Sequence, residues 1–306
     1  MATESYAVCD NCGTQFGEAS PVDCPICWDV RNQMRRGQPR GWTTVEQLGA
    51  DHRNVFRDDA GFTGIGTEPA FGLEQRAVLV PFGESNLLWD CVTLIDDETV
   101  AEIERRGGLS AIAISHPHYY ASMVQWAERF DVPVYLHEDD RAWAMRDDSR
   151  IVFWSGETLS LSDDLTLVRV GGQFAGSQIL HVASRDAVLV GDSVLTTLDP
   201  DWVGFSYASG EIPGGGWTQL LPLDEVATKQ LHDAFAALDF DLVVGSWWEH
   251  NLPTNGKDII LRSAVRSILA VRGDVSARTM PPVGGYAPLE ERPTLETSPF
   301  REAERV

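Results

Sequence analysis

After about residue 75, short apolar segments alternate with longer amphipathic segments along the chain. Apolar runs of about four to eight residues between turns are typical of buried strands, and longer amphipathic segments are typical of helices. Residues 76–82 and 86–92 read as a hairpin, and residues 109–115, 119–130 and 132–137 read as strand, helix and strand. Because a βαβ unit requires parallel strands covered by a helix, the pattern predicts a mixed α/β domain.

The second half of the chain continues the pattern in a different order. The predicted elements are strands at 150–154, 165–170, 177–182 and 186–193, a loop at 199–217, a helix at 221–238, a strand at 239–245 and a helix at 257–273. This order favours two stacked sheets with helices outside. We predict three regions: a ribbon-like segment at 1–40, a main domain at 41–280, and a C-terminal arm at 281–306 whose weak periodicity is typical of disorder.

Two Cys-x2-Cys pairs lie in the first 40 residues, Cys9 with Cys12 and Cys24 with Cys27. In a chain without a secretory signal, such pairs more often bind metal than form disulfides. Four thiolates form a closed tetrahedral Zn²⁺ site, which would fold a segment too short for its own core. The sequence therefore predicts a structural zinc ribbon; redox dithiols and reduced structural cysteines are the other interpretations. Cys91 is predicted to be a buried thiol.

The formal net charge of -22 narrows the classes of partner. An acidic surface repels phosphate backbones and anionic lipids, so we expect neither nucleic acid nor a membrane as partner. The sequence has no apolar stretch of about 20 residues and no apolar export signal, which predicts a cytoplasmic protein. The expected partner is a small-molecule substrate or ligand, and homo-oligomerisation is left open.

Two histidines and an aspartate follow predicted strands. His116 and His118 follow the apolar run 109–115, and Asp192 ends the run 186–193. Open α/β sheets place their chemistry beyond the carboxyl ends of strands, where residues distant in sequence converge. A catalytic zinc ion needs about three protein ligands and an open position for water. The three residues are therefore candidate ligands of one metal ion.

The segments around these residues resemble the metallo-β-lactamase superfamily. SHPHYY after an apolar strand, GGQFAGSQILH after LTLVRV, and LVGDS a dozen residues later match that family in order and spacing, over about residues 75–270. The resemblance implies an α/β (α+β) fold, a four-layer αββα sandwich, here with a small N-terminal zinc ribbon. It also implies metal-dependent hydrolysis, although a few members of the family are oxygenases or non-enzymatic.

This chain departs from the family motif at four ligand positions, which hold Tyr120, Ala121, Gln173 and Val244. The second metal site of the family has lost its acid and a histidine, so the resemblance implies a mononuclear centre. Its ligands would be His116, His118 and Asp192, with His250 as a substitute fourth ligand. Two histidines and a carboxylate suit zinc, and they also suit Fe(II).

Other residues near the motifs are candidates for supporting roles. Tyr120 and Gln173 are predicted to orient water or substrate, and packing is the alternative for either residue of the Tyr119–Tyr120 pair. His181 is predicted to hydrogen-bond a metal ligand from behind. Aromatic residues on loops are expected either around the pocket or in the core: Trp202, Phe205, Tyr207, Trp217, Trp247 and Trp248.

These residues support three functional hypotheses. The first is a hydrolase that acts on an ester, thioester or lactone-like substrate with one metal-activated water. The second is a non-catalytic member of the fold that binds a partner or small molecule, which the four substituted ligand positions favour. The third is Fe(II)-dependent oxidation at the set of two histidines and one aspartate. Measurements of metal content and of substrate turnover distinguish the hydrolase from the non-catalytic binding protein.

Overall fold

The computed structural model describes residues 6–31, 41–196, 201–211 and 217–274. The predicted C-terminal arm at 281–306 lies outside these residues, and the predicted boundary at residue 40 borders the undescribed residues 32–40. At the N-terminus, β1 (Val8–Cys9) and β2 (Trp42–Thr43) form a small antiparallel sheet. In the described part of the chain no helix is both long and apolar enough to cross a membrane.

The larger sheet of the main domain has seven strands in sequence order. They are β3 (Arg53–Asp59), β4 (Phe62–Glu68), β5 (Ala77–Phe82), β6 (Ser85–Trp89), β7 (Leu109–Ala113), β8 (Val134–His137) and β9 (Ile151–Trp154). β3 to β6 are antiparallel, whereas β6 to β9 run parallel. The predicted hairpin is β5 and β6, and the predicted βαβ unit joins β7 to β8, so both predictions are confirmed.

The second sheet has six strands in the order β10-β11-β12-β13-β16-β17. They are β10 (Thr158–Ser160), β11 (Leu165–Arg169), β12 (Gln178–Val182), β13 (Ala187–Leu189), β16 (Leu242–Val244) and β17 (Asn251–Leu252). A separate hairpin is formed by β14 (Ser206–Glu211) and β15 (Trp217–Pro222). β14 lies inside the segment predicted to be a loop, so that prediction was wrong: cross-strand pairing orders a stretch in which glycine and proline mask the strand pattern.

Helices cover the outer faces of both sheets. The helices of the described residues are α1 (Pro25–Trp28), which belongs to the segment with the paired cysteines, α2 (Val45–Leu48), α3 (Asp97–Arg105), α4 (Met123–Phe130), α5 (Glu225–Ala236) and α6 (Gly256–Arg272). Trp126 of α4 belongs to one buried cluster with Ile112 of β7, and Phe235 of α5 belongs to another with Val188 of β13. The helices therefore form the two outer layers.

The inner faces of the two sheets pack against each other. Ala187 and Leu189 of β13 share a buried cluster with Trp89 of β6, whereas Val188 between them faces the helices on the other side. This alternation follows from the period-2 geometry of a strand that is buried on both faces. The main domain is thus the expected four-layer αββα sandwich.

The helix predicted at 119–130 begins four residues later than expected. Ala121 has a φ of 44°, which no α-helix accommodates. A short 3-10 turn at Pro117–Tyr119 precedes it, and α4 starts only at Met123. Because of this break in the helix, the side chains of consecutive residues of the motif point to different parts of the molecule.

The segment that carries the four paired cysteines, called the ribbon from here on, packs on the main domain. The backbone N–H of Gln15 donates to the carbonyl of Ala121 at 2.9 Å, and Thr93 Oγ1 donates to the carbonyl of Gly13 at 2.9 Å. Arg146 Nη1 donates to Gln15 Oε1 at 2.7 Å. The apolar residues of the ribbon join the same buried cluster as the outer face of the larger sheet. The ribbon therefore shares a core with the domain beside it.

Candidate metal centres

The four cysteines of the ribbon converge. Sγ of Cys9 lies 3.7 Å from Sγ of Cys27, and Sγ of Cys12 lies 3.6 Å from Sγ of Cys24. A disulfide would need about 2.05 Å, whereas sulfurs at about 2.3 Å around one zinc ion stand about 3.8 Å apart. All four are buried, and Asn11 Nδ2 donates to Cys27 Sγ at 3.1 Å. The predicted cluster can hold a metal ion, and its spacing suits zinc.

His116, His118 and Asp192 also converge. His116 lies just beyond β7 and Asp192 just beyond β13, so both follow strands that end at the same edge of the sandwich. Their candidate ligand atoms all lie within 4.8 Å of one another. The structure therefore brings together the three residues that the sequence selected from two separate sheets.

The polar atoms at the centre of this group lack hydrogen bonds. Nε2 of His116, Nε2 of His118 and Oδ1 of Asp192 are buried and have no hydrogen-bond partner among the described residues. His116 Nε2 and Asp192 Oδ1 are only 2.9 Å apart, but without the angles of a hydrogen bond. The large majority of buried side-chain polar atoms normally have a hydrogen-bond partner. Two nitrogen atoms and one oxygen atom without hydrogen bonds thus face one another. A divalent cation would be coordinated by all three atoms, so the residues fit such an ion.

Residues behind the ligands fix their positions. Ser115 Oγ lies 2.9 Å from Nδ1 of His116, and the backbone N–H of Ser115 donates to Asp90 Oδ1 at 2.7 Å. Burial raises the pKa of Asp90 to about 7. A Cβ on Gly191 would lie 2.4 Å from Ser115 Oγ, so only glycine lets the chain before Asp192 approach this closely. Such contacts set the tautomer and orientation of a metal-binding histidine.

The two histidines differ in protonation. Burial, and then the nearby positive charge of His116, lowers the pKa of His118 to about 3, so its imidazole is neutral and able to bind a metal. Burial opposes the charged form of His116, but the carboxylate of Asp192 outweighs it and raises the pKa. Asp192 keeps its charge because the attraction of His116 outweighs burial and lowers its pKa. A bound cation would replace the proton of His116 as the positive charge that faces Asp192.

Tyr119 contacts this group. Its ring centroid lies 4.4 Å from that of His116. Its hydroxyl is close to Asp192 and Ser246, but neither it nor Ser246 Oγ has a hydrogen-bond partner within the described ranges. Burial, followed by the charge of Asp192, holds the pKa of Tyr119 well above its usual value, so the residue remains a phenol. The sequence offered both tyrosines for this role and we selected Tyr120, whereas the structure places Tyr119 beside His116.

Tyr120, which the sequence selected, lies elsewhere. It is buried, and with Thr14, Gln15 and Ala121 it lines a small cavity where the ribbon meets the main domain. Burial keeps the pKa of its hydroxyl well above the usual value. The positive φ of Ala121 separates the directions of the two neighbouring tyrosines. Tyr120 therefore has the packing role that was the alternative for one tyrosine of the pair.

Gln173 and Phe174 close the group on another side. Gln173 is buried, and its Oε1 has no hydrogen-bond partner in the described structure. The ring of Phe174 lies 4.9 Å from that of His118 and 5.8 Å from that of His116. Burial leaves little of the group open to solvent, since His116 is 1%, His118 5% and Asp192 8% exposed. The sequence indicated Gln173 but carried no sign of Phe174.

Two predicted histidines lie outside the group. Nδ1 of His250 lies 3.1 Å from the carbonyl oxygen of Thr196, and the residue is absent from the cluster of candidate ligands found in the described part of the chain. His181 Nε2 lies 2.8 Å from the carbonyl oxygen of Asp239, which follows α5. His181 is the cross-strand partner of Val188, so both side chains lie on the face of the sheet that is turned toward the helices. The structure places Ser115, rather than His181, behind a candidate ligand.

The predicted aromatic residues divide between site and core. Trp247 lies 6.4 Å from Tyr119 by ring centroids. Trp202 stacks against Arg266 at 4.2 Å, Trp248 packs over the glycines of β4, and Phe205 is in the core under α5 and α6. The side chain of Trp217 lies outside the described residues. Trp247 therefore lies near the candidate site, whereas Phe205 lies in the core.

Comparisons with known proteins agree with this description. The chain is 34% identical over 281 residues to the "Uncharacterized protein YmaE" of Bacillus subtilis (strain 168), which covers 88% of this chain and 98% of that protein. The structure is similar to that of VMB-1, with a TM-score of 0.50 and 12% identity over 71% of this chain and 98% of the other. It is also similar to the metallo-β-lactamase FIM-1 from Pseudomonas aeruginosa in its mono-zinc form, with a TM-score of 0.49 and 14% identity over 70% and 96% of the chains.

No protein-family model matches the chain. The resemblance read from the sequence motifs is nevertheless confirmed by the sandwich and by the structural neighbours. The chain belongs to the family of the Bacillus subtilis protein YmaE, and its main domain has the metallo-β-lactamase fold.

Proposed function

We propose that this protein is a metal-dependent hydrolase with one metal ion in its main domain, held by His116, His118 and Asp192. The observation that carries the proposal is the set of three buried ligand atoms that face one another without hydrogen bonds. The metallo-β-lactamase fold supports it, because the resemblance to that superfamily implies metal-dependent hydrolysis. We propose zinc as the ion of the four-cysteine cluster, and zinc or iron as the ion of the main domain.

The residues around the centre suit hydrolysis of a carbonyl compound. A divalent cation there would supply Lewis-acid polarisation and a water molecule activated near neutral pH. The phenol of Tyr119 can donate a hydrogen bond to a developing oxyanion, and the unpartnered Oε1 of Gln173 can accept one from water. We assign these two residues to orienting substrate and water.

The surroundings favour an uncharged or weakly charged substrate with an apolar part. Phe174 and Trp247 border the ligand group with aromatic surface. The acidity of the whole chain disfavours polyanions such as nucleic acids. We therefore propose an ester, thioester or lactone-like compound as substrate, because such molecules combine an apolar body with one polarisable carbonyl.

Turnover of a panel of esters, thioesters and lactones tests the proposal. We expect hydrolysis of at least one compound class, loss of activity on treatment with a chelator, and recovery on addition of Zn²⁺ or Fe²⁺. Addition of Fe²⁺ with O2 and without O2 separates hydrolysis from oxidation, because only oxidation consumes oxygen. Activity that is indifferent to the chelator would contradict a metal-dependent mechanism.

Tyr119→Phe should lower kcat by about 100-fold, since removal of a single oxyanion donor costs about 100- to 1000-fold. Its main-domain metal content should be unchanged, because the phenol is not among the three candidate ligands. Tyr120→Phe is the matched control and should retain kcat, because Tyr120 packs against the ribbon. Equal kcat values for the two variants would remove Tyr119 from the mechanism.

The alternative is a non-catalytic binding protein, and one observation favours it. Tyr119 and Ser246 lie beside Asp192, and four ligand positions of the family motif hold other residues in this chain. In this case the same experiments would show metal binding, or none, without turnover of any member of the panel. A small molecule that raises Tm would then identify the class of ligand.

A further inference from the structure

Arg31 connects the ribbon to the main-domain centre. It lies four residues after Cys27, yet its Nη1 donates to the carbonyl of Gln173 at 3.0 Å. Its guanidinium carbon lies 3.9 Å from the ring centroid of Phe174 and 4.8 Å from that of Trp143. Because an arginine over an aromatic face is attracted to it, these contacts hold the side chain against the main domain.

The contact reaches the candidate ligands through a single ring. Phe174 contacts both groups, with its ring centroid 3.9 Å from the guanidinium carbon of Arg31 and 4.9 Å from the imidazole centroid of His118. Phe174 is 1% exposed and His118 is 5% exposed. Arg31 therefore belongs to the outer wall that keeps solvent from this side of the centre.

Asp29 fixes Arg31 in place. Nε of Arg31 donates to Oδ1 of Asp29 at 2.6 Å, and Nη2 donates to Oδ2 at 2.7 Å. Planar bidentate pairing of this kind adds geometric definition as well as energy. The attraction of Arg31 outweighs the burial of Asp29 and lowers its carboxyl pKa, so the pair stays charged. The Asp29–Arg31 pair follows directly after α1. Cys24 directly precedes this helix, and Cys27 is its third residue.

We propose that Arg31 closes the main-domain centre, and that the metal-loaded ribbon holds it in the closed position. Release of the ribbon, or of Arg31 alone, would uncover Phe174 and give small molecules access to His118. The inference rests on the proposed function only for the reason why access to His118 would matter. The contacts of Arg31 and Phe174 that close this side of the centre do not depend on that function. The ribbon is thus a working part of the centre rather than a separate module.

Labelling with diethyl pyrocarbonate tests the wall directly, because the reagent modifies neutral histidines that it can reach. The protein is first dialysed briefly against EDTA, and elemental mass spectrometry confirms that the ribbon zinc remains. The rate of modification of the peptide that contains His116 and His118 is then measured by mass spectrometry. We expect Arg31→Ala to raise this rate about tenfold, since the stacked and hydrogen-bonded guanidinium is lost.

Two comparisons make the experiment specific. Arg141→Ala removes an arginine 3.7 Å from the ring of Phe153, a similar contact that involves neither Phe174 nor a candidate ligand, and should leave the rate unchanged. His232, whose side chain is 21% exposed, serves as the internal reference in every variant. The double variant Cys24→Ser/Cys27→Ser should match Arg31→Ala if the ribbon holds the arginine.

The outcomes separate the two proposals. Equal rates in wild type and Arg31→Ala would overturn the closure by Arg31. A fast rate in Arg31→Ala with a wild-type rate in the folded cysteine variant would overturn the role of the ribbon metal. Failure of the wild type to bind a main-domain metal, or to turn over any substrate, would refute the proposed function without changing the labelling result.

Discussion

His118→Ala should reduce the metal content of the protein from about two ions per chain to about one, and abolish hydrolysis. His118 supplies one of three candidate ligand atoms, and two remaining ligands do not retain a catalytic ion against chelation. Burial lowers the pKa of His118 to about 3, so the imidazole that is lost is a neutral ligand at any physiological pH. Elemental mass spectrometry and the substrate panel measure the two effects.

His250→Ala is the matched control for this variant. Its imidazole lies 3.1 Å from a carbonyl oxygen of Thr196 and outside the ligand group, so about two ions and near-normal turnover should remain. Loss of a metal ion in His250→Ala would show that His250 acts as the fourth ligand after all. Retention of two ions in His118→Ala would contradict the main-domain centre itself.

Cys24→Ser/Cys27→Ser should remove the ribbon metal and destabilise the whole protein. The ribbon residues Val8, Phe16 and Ile26 are buried in the same cluster as the outer face of the larger sheet. Burying such side chains contributes about 1.5–3 kcal/mol each, part of which the ribbon loses when it unfolds. A net loss of about 4 kcal/mol corresponds to a fall in Tm of roughly 10 °C for a domain of this size. Differential scanning calorimetry measures the change.

Cys91→Ser controls for the loss of a thiol. Cys91 is fully buried but lies away from the four-cysteine cluster, so this variant should retain both metal ions. Its Tm should fall by less than that of the double variant, because no metal ion is lost. An unchanged Tm in the double variant, together with unchanged zinc content, would contradict a structural metal in the ribbon.

Much of this structure could be predicted from residues that are close in sequence. The hydrophobic periods identified the hairpin β5–β6, the β7–α4–β8 unit and the long helix α6. The Cys-x2-Cys spacing identified four residues that converge in space. In each case the signal is local, since strand and helix periods and metal-binding turns are properties of a few consecutive residues.

Predictions that depended on the exact direction of a side chain were less successful. Tyr119 and Tyr120 are equivalent in sequence, and the φ of 44° at Ala121 decides which of them meets His116. His181 lies on the expected strand but on the face turned toward α5. A change of one residue in register or one backbone angle reverses such a prediction.

The layers of the sandwich, the four-cysteine cluster, and the three candidate metal ligands at strand ends could therefore all be predicted from the sequence. The groups that surround these candidate ligands are visible only in the folded chain: Ser115 and Asp90 behind His116, Phe174 against His118, and Arg31 from the ribbon. The reason is physical. Periodicity and ligand spacing are encoded within one element, whereas contacts between different elements, such as Phe174 against His118 or Arg31 against Phe174, exist only after the sheets and the ribbon have packed together.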